Sequence, residues 1–154
     1  MNIHPYRIVV GVDGSDGGRR ALRWAVHHAA TRGGSVQAVM AWHPGEFDAP
    51  PHGATNPRQE QWPAREILDR EVDRTDRPNN VMVVAEVVEG RAADVLTMTA
   101  RHADLLVLGS HGHGRLHHAL GSVSDDCVRQ ATCPVVIVPP RPATATRTSI
   151  RGYR

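Results

Sequence analysis

Three glycine-rich segments carry residue types suited to holding an anion. They are Gly11-Val12-Asp13-Gly14-Ser15, Gly109-Ser110-His111-Gly112-His113-Gly114 and Gly121-Ser122-Val123-Ser124. Glycine leaves the backbone N–H groups open to phosphate oxygens. A helix starting at the third segment would add free N–H donors and a partial positive charge. The hydroxyls of Ser122 and Ser124 supply two further donors. Any one glycine reads equally well as a plain turn. Two glycine clusters at strand ends, one leading to Gly-Ser at a helix start, favour an anion site. Asp13, at the first strand end, suits capping of the helix that follows.

Other chemistries fail on spacing or composition. All 18 basic residues are arginine. This excludes a Schiff-base lysine, a pyridoxal-phosphate lysine and the lysine of a P-loop. A dinucleotide fingerprint would need glycine where the run from Gly112 reaches His117. No GxSxG elbow is present. Cys127 and Cys133 form neither a CxxC pair nor a metal pattern and read as reduced, packed thiols. His111, His113, His117 and His118 cluster without an acid or cysteine at ligand spacing, which favours a solvated loop over a metal site. With an anion bound, His111, His113 or Arg115 would lie near it.

The elements that position these segments follow from the apolar pattern. Ile8 to Val12, Val36 to Trp42, Val81 to Val88, Leu105 to Leu108 and Val135 to Val138 read as strands, three of them with little polar alternation, as in a sheet covered on both faces. Helices fall between them. Ser15 caps the first, with Leu22, Ala25, Val26 and Ala29 on one face and Gly33-Gly34 as its stop. Ala64, Ile67, Leu68 and Val72 mark a second, starting near Pro63. Ala92, Val95, Leu96 and Ala100 mark a third. Val123, Cys127, Val128 and Ala131 mark a fourth, with Asp125 and Asp126 facing solvent. The alternation predicts an α/β fold: one open, doubly wound, five-stranded parallel sheet with helices on both faces. Residues 1–140 form the domain. The segment His43 to Trp62, with four prolines, reads as a loop, and Arg141 to Arg154 as a disordered arginine-rich tail.

The 154 residues, 40% hydrophobic and 22% charged, fit one soluble domain. The formal charge of +2 rests on Arg141, Arg147, Arg151 and Arg154, without which 14 basic residues face 16 acidic ones. The folded part is therefore not basic, and no nucleic-acid partner is expected. No apolar run reaches the roughly 20 residues of a membrane helix, and the first residues lack an export signal, so a cytoplasmic location without membrane contact is expected.

The chain resembles the universal stress proteins. Ile8 to Ser15 is similar to their first strand and turn. Gly90, then Ala103 to Val107, then Leu105 to Gly114, Leu120 to Ser124 and Cys133 to Val138 follow their later half. The resemblance spans residues 6 to 139 and is weakest from His43 to Asn80. It implies the family's fold, of the adenine-nucleotide α-hydrolase type, and ATP as ligand. Gly109, Gly112, Gly121 and Ser122 match the family's glycine motif, with Val123 and Ser124 continuing the helix start. Eight residues separate Gly112 from Gly121 where the pattern has nine. Asp13 would approach the ribose or a phosphate-bound Mg²⁺. Backbone groups near Val39 or Met40 would meet adenine.

Three functions follow from this reading. The leading one is a regulatory module that holds ATP with little or no hydrolysis. The others are a slow ATPase, using Asp13 for Mg²⁺ and a histidine as base, and a dimeric interaction protein without nucleotide. A homodimer is expected through the last strand, Val135, Val136, Ile137 and Val138, whose exposed edge invites pairing, as in the family.

Overall fold

The computed structural model describes residues 4–44, 61–112 and 120–141. Most of the proline-rich loop, His113, Arg115, His117, His118 and the tail beyond Arg141 lie outside the described residues.

The chain runs β1 (Arg7–Gly11), α1 (Asp16–Arg32), β2 (Ser35–Trp42), α2 (Trp62–Arg74), β3 (Met82–Glu89), α3 (Ala92–Thr99), β4 (Leu105–Gly109), α4 (Ser122–Gln130) and β5 (Val135–Val138). The five strands form one parallel sheet in the order β3-β2-β1-β4-β5. Each parallel step needs a crossover, and the helices supply it.

Strand alternation divides the core between the two faces of the sheet. Ile8 and Val10 of β1 pack with Leu22 and Val26 of α1, Leu68 of α2 and Val107 of β4. Val9, between them in sequence, packs on the other face with Val39, Leu96, Leu106, Leu108 and Cys127. Ile8, Leu22, Leu68 and Leu106 are fully buried, each contributing about 2–3 kcal/mol by burial alone.

Helix α1 begins and ends as its sequence directs. The Ser15 hydroxyl accepts from the Gly18 N–H at 3.1 Å. Gly33 closes the helix in the left-handed region at φ 61°, where a β-carbon is disfavoured.

Two elements depart from the sequence pattern. β3 is the other edge strand, so it alternates along its length: Met82 and Val84 are 63% and 51% exposed, while Val83, Ala85 and Val87 pack inward. In α4 the buried residues are Ser124 and Cys127. Val123 and Val128, expected on the inner face, are 38% and 49% exposed. The helix is rotated so that a serine, not a valine, points at the end of β4.

Candidate functional site

β1 is the switch point of the sheet, since β2 lies on one side of it and β4 on the other. Ligands of open α/β sheets bind beyond the carboxyl ends of the strands at such a point. The chain leaves β1 through Asp13, whose Oδ1 accepts from both the backbone N–H (3.0 Å) and the hydroxyl of Ser15. Ser15 in turn accepts from Gly18. Asp13 thus fixes the turn into α1 and still faces the cleft above it. Gly14 makes this turn at φ 79°, a conformation that side chains with a β-carbon rarely adopt.

The β4 end and the first turn of α1 meet backbone to backbone. A β-carbon on Gly109 would lie 2.6 Å from the Gly17 carbonyl carbon, and one on Gly17 would lie 2.2 Å from the His111 carbonyl oxygen. Packing alone therefore explains these two glycines. At Gly112 a β-carbon would reach 2.7 Å from Asp13 Oδ2, so glycine there keeps the carboxylate in place. Gly121 differs. Its β-carbon would be 3.4 Å from the nearest atom, the Ser110 carbonyl oxygen, an ordinary contact. Among the described residues, packing does not call for glycine at position 121.

Gly121 is the N-cap residue of α4, and no side chain caps this helix. Its own N–H donates to the Ser110 carbonyl at 2.8 Å. The first-turn N–H groups of α4 that follow it open on the cleft. Ser124, in that turn, donates its hydroxyl to the Gly109 carbonyl at 2.7 Å.

Between these arms lies a cleft of about 480 Å³, within the range of small-molecule sites. Part of its lining is apolar: Val39, Ala41, Leu96 and Leu108, which belong to one packed cluster, with Ala92 at the start of α3. Asp13, Gly109, Gly112 and Gly121 to Ser124 also line it. The structure therefore brings eight of the nine expected site residues to one cleft: Asp13, Val39, Gly109, Gly112, Gly121, Ser122, Val123 and Ser124. Met40, expected for its backbone as an alternative to Val39, is not among the lining residues. Its side chain is 4% exposed in the core under α1 and α2, because alternation turns it away from the face that Val39 and Ala41 share. Sequence reasoning passed over Ala41, Ala92 and Leu96. The period of two along β2 points to Ala41, whereas a small apolar residue at a helix start carries no comparable mark.

His111 also lines the cleft. Its Nδ1 lies 3.0 Å from the Ser110 hydroxyl, and its Nε2 is buried without a partner among the described residues. Asp125 and Asp126, one turn into α4, are half exposed and paired, with Arg129 at 3.0 Å and Arg91 at 3.7 Å. Those arginines offset negative charge beside the helix N-terminus. Among the described residues no group of three His, Cys, Asp or Glu could hold a metal ion, and no helix is long and apolar enough to cross a membrane.

The model of the universal stress protein family matches residues 6–139. The chain belongs to this family. A universal stress protein of Mycobacterium tuberculosis is 33% identical over 145 residues, covering 92% of this chain and 52% of the relative. One from Mycolicibacterium smegmatis is 34% identical over 135 residues, covering 87% of this chain and 46% of the relative. The chain thus spans about half the length of these mycobacterial relatives. Among solved structures, a universal stress protein in complex with cAMP is 30% identical, with a TM-score of 0.68 over 86% of this chain and 96% of that one. The universal stress protein of Archaeoglobus fulgidus in complex with dAMP is 25% identical, with a TM-score of 0.63 over 86% and 96% of the two chains. The five-stranded parallel order found here is the family's fold, as expected from the sequence.

Proposed function

We propose that this universal stress protein is a regulatory module that binds ATP in the cleft above β1 and β4 with little or no hydrolysis. The observation that carries the reading is the mixed lining of the cleft. Its apolar cluster suits a purine, and the uncapped N-terminus of α4 with the glycine backbone suits phosphates. Glycine at position 121, where packing does not require it, fits a backbone that a ligand approaches. The cAMP and dAMP complexes of its relatives support an adenine nucleotide of some kind. Asp13 is the one carboxylate among the described cleft residues, and its Oδ1 holds Ser15, which argues against a free general base. Calorimetric titration with ATP, AMP and cAMP, followed by phosphate-release measurement, tests the reading. No heat with any of the three would overturn it, and multiple turnovers would make the protein an ATPase.

Asp13 fits a cation only together with ligand oxygens, since one carboxylate is far short of a full Mg²⁺ shell. Asp13 would hold the ion, whose chemistry would be neutralisation of phosphate charge. Asp13→Ala is therefore expected to weaken ATP binding more with Mg²⁺ than with EDTA, by about tenfold in the ratio. An identical loss in both buffers would reduce Asp13 to holding the turn or the ribose.

The edge strand β5 supports assembly as a homodimer, which fits the ATP-binding module and the nucleotide-free interaction protein alike. Pro134 and Val138 turn their carbonyls to β4, accepting from Leu106 and Ser110 at 2.9 and 3.2 Å. By alternation Val135 and Ile137 present their backbone groups to the open edge. Val123 and Val128 of α4 add exposed apolar surface. Ile137→Pro would remove an edge donor and spare the β4 ladder, whereas Val136→Pro would break that ladder. Light scattering should show a wild-type dimer at micromolar concentration and an Ile137→Pro dimer weakened by about tenfold or more. A wild-type monomer would refute the dimer. Nucleotide carried through purification would separate the ATP-binding module from the nucleotide-free one.

A further inference from the structure

The two arms of the cleft are joined by more than the loop between them. Gly121 N–H donates to the Ser110 carbonyl at 2.8 Å, and the Ser124 hydroxyl donates to the Gly109 carbonyl at 2.7 Å. Successive residues at the end of β4 are thus bonded to the N-cap and the third helical residue of α4. Ser124 is only 5% exposed, so its hydroxyl is held away from bulk water, where hydrogen bonds are strong and their loss is costly. The same β4 end is locked on its other side by the backbone contact of Gly109 with Gly17.

We infer that Ser124 is a positioning residue: its hydroxyl donates to Gly109 rather than to the ligand, and so fixes the first-turn amides of α4 over the cleft before any ligand arrives. The inference rests on the proposal that this cleft binds a nucleotide, and it deepens it. The hydroxyl left for phosphate is that of Ser122, beside the first-turn N–H groups. The missing residue between Gly112 and Gly121 then matters little, because the spacing of the arms is set by bonds between their ends and not by the length of the chain connecting them.

Ser124→Ala and Ser122→Ala distinguish holding from donating. Amide hydrogen exchange of the free protein is measured first. In Ser124→Ala, exchange at the hydrogen-bonded amides of Gly121 and Asp125 should rise about fivefold to tenfold, with β1, β2 and α1 unchanged. In Ser122→Ala it should stay as in wild type. Affinity is measured second. Both variants should bind ATP about fivefold to tenfold more weakly and adenosine as wild type does, since only the phosphate arm is altered. Wild-type exchange at Gly121 and Asp125 in Ser124→Ala would overturn the inference, as would unaltered ATP affinity in that variant. Exchange raised throughout the domain would also overturn it, by making Ser124 a general stability residue. If wild type binds neither ATP nor adenosine, the proposed function fails, while the exchange comparison still decides whether Ser124 holds the helix.

Discussion

Gly112→Val is expected to abolish ATP binding while the domain stays folded. A β-carbon at this position would lie 2.7 Å from Asp13 Oδ2, well inside contact distance, and valine adds two methyl groups beyond it. Either Asp13 leaves the turn, losing its grip on Ser15, or the end of the β4 loop swings away from the cleft. Both outcomes distort the part of the cleft proposed to hold phosphate. Gly112 is itself exposed, so the folded core is not overpacked. The expected loss is a hundredfold or more in affinity, about 2.7 kcal/mol. The melting temperature should fall by no more than about 3 °C, the scale of 1 kcal/mol for a domain of this size. Equal dissociation constants for the two proteins would remove Gly112 from the site.

Gly17→Ala should act in the opposite way, on the fold. Its β-carbon would be placed 2.2 Å from the His111 carbonyl oxygen, and neither partner is a side chain that can rotate aside. α1 and the β4 end must separate, at a cost of about 3 kcal/mol or more, lowering the melting temperature by roughly 6–12 °C. Gly33→Ala is the control. There the new carbon meets nothing within 4 Å, and only the left-handed φ of 61° is unfavourable, at about 1–2 kcal/mol. If both variants melt alike, the contact between α1 and the β4 loop is looser than described.

The contrast between these glycines shows what a sequence conceals. Gly17 and Gly109 look like two unrelated small residues, one in a helix and one at a strand end. Their shared reason is a crossing of two backbones far apart in the chain. The strands, by contrast, were legible because valine, isoleucine and leucine runs are long and close to uninterrupted in β1 and β4. The edge position of β5 followed from its being last with no crossover after it. That of β3 was less legible, since only Glu86 interrupts its apolar residues. The glycine-rich segments marked Gly109, Gly112, Gly121 and Ser122, which line one cleft, but the orientation of α4 could not be read. Val123, Cys127 and Val128 look like its inner face; Cys127 is buried there, but only the packed helix shows that Ser124 joins it while Val123 and Val128 stay exposed. The apolar lining of the cleft was the least legible, because Ala41, Ala92 and Leu96 are ordinary core residues in composition and are marked only by where the fold places them.

Cys127 lies three residues beyond Ser124, fully buried under α4. Burial, with Asp126 and Asp94 nearby, pushes its thiol up to about 11. At neutral pH roughly one molecule in ten thousand would carry the thiolate, and a reagent has no path to it while the helix is seated. Cys133 is half-buried and also shifted upward by burial, so it is the easier thiol to alkylate. With Cys133 changed to serine, the rate at which Cys127 is modified becomes a native stopwatch for the lifting of α4, obtained without attaching any foreign dye. Run with and without ATP, it would time how often this end of the molecule opens.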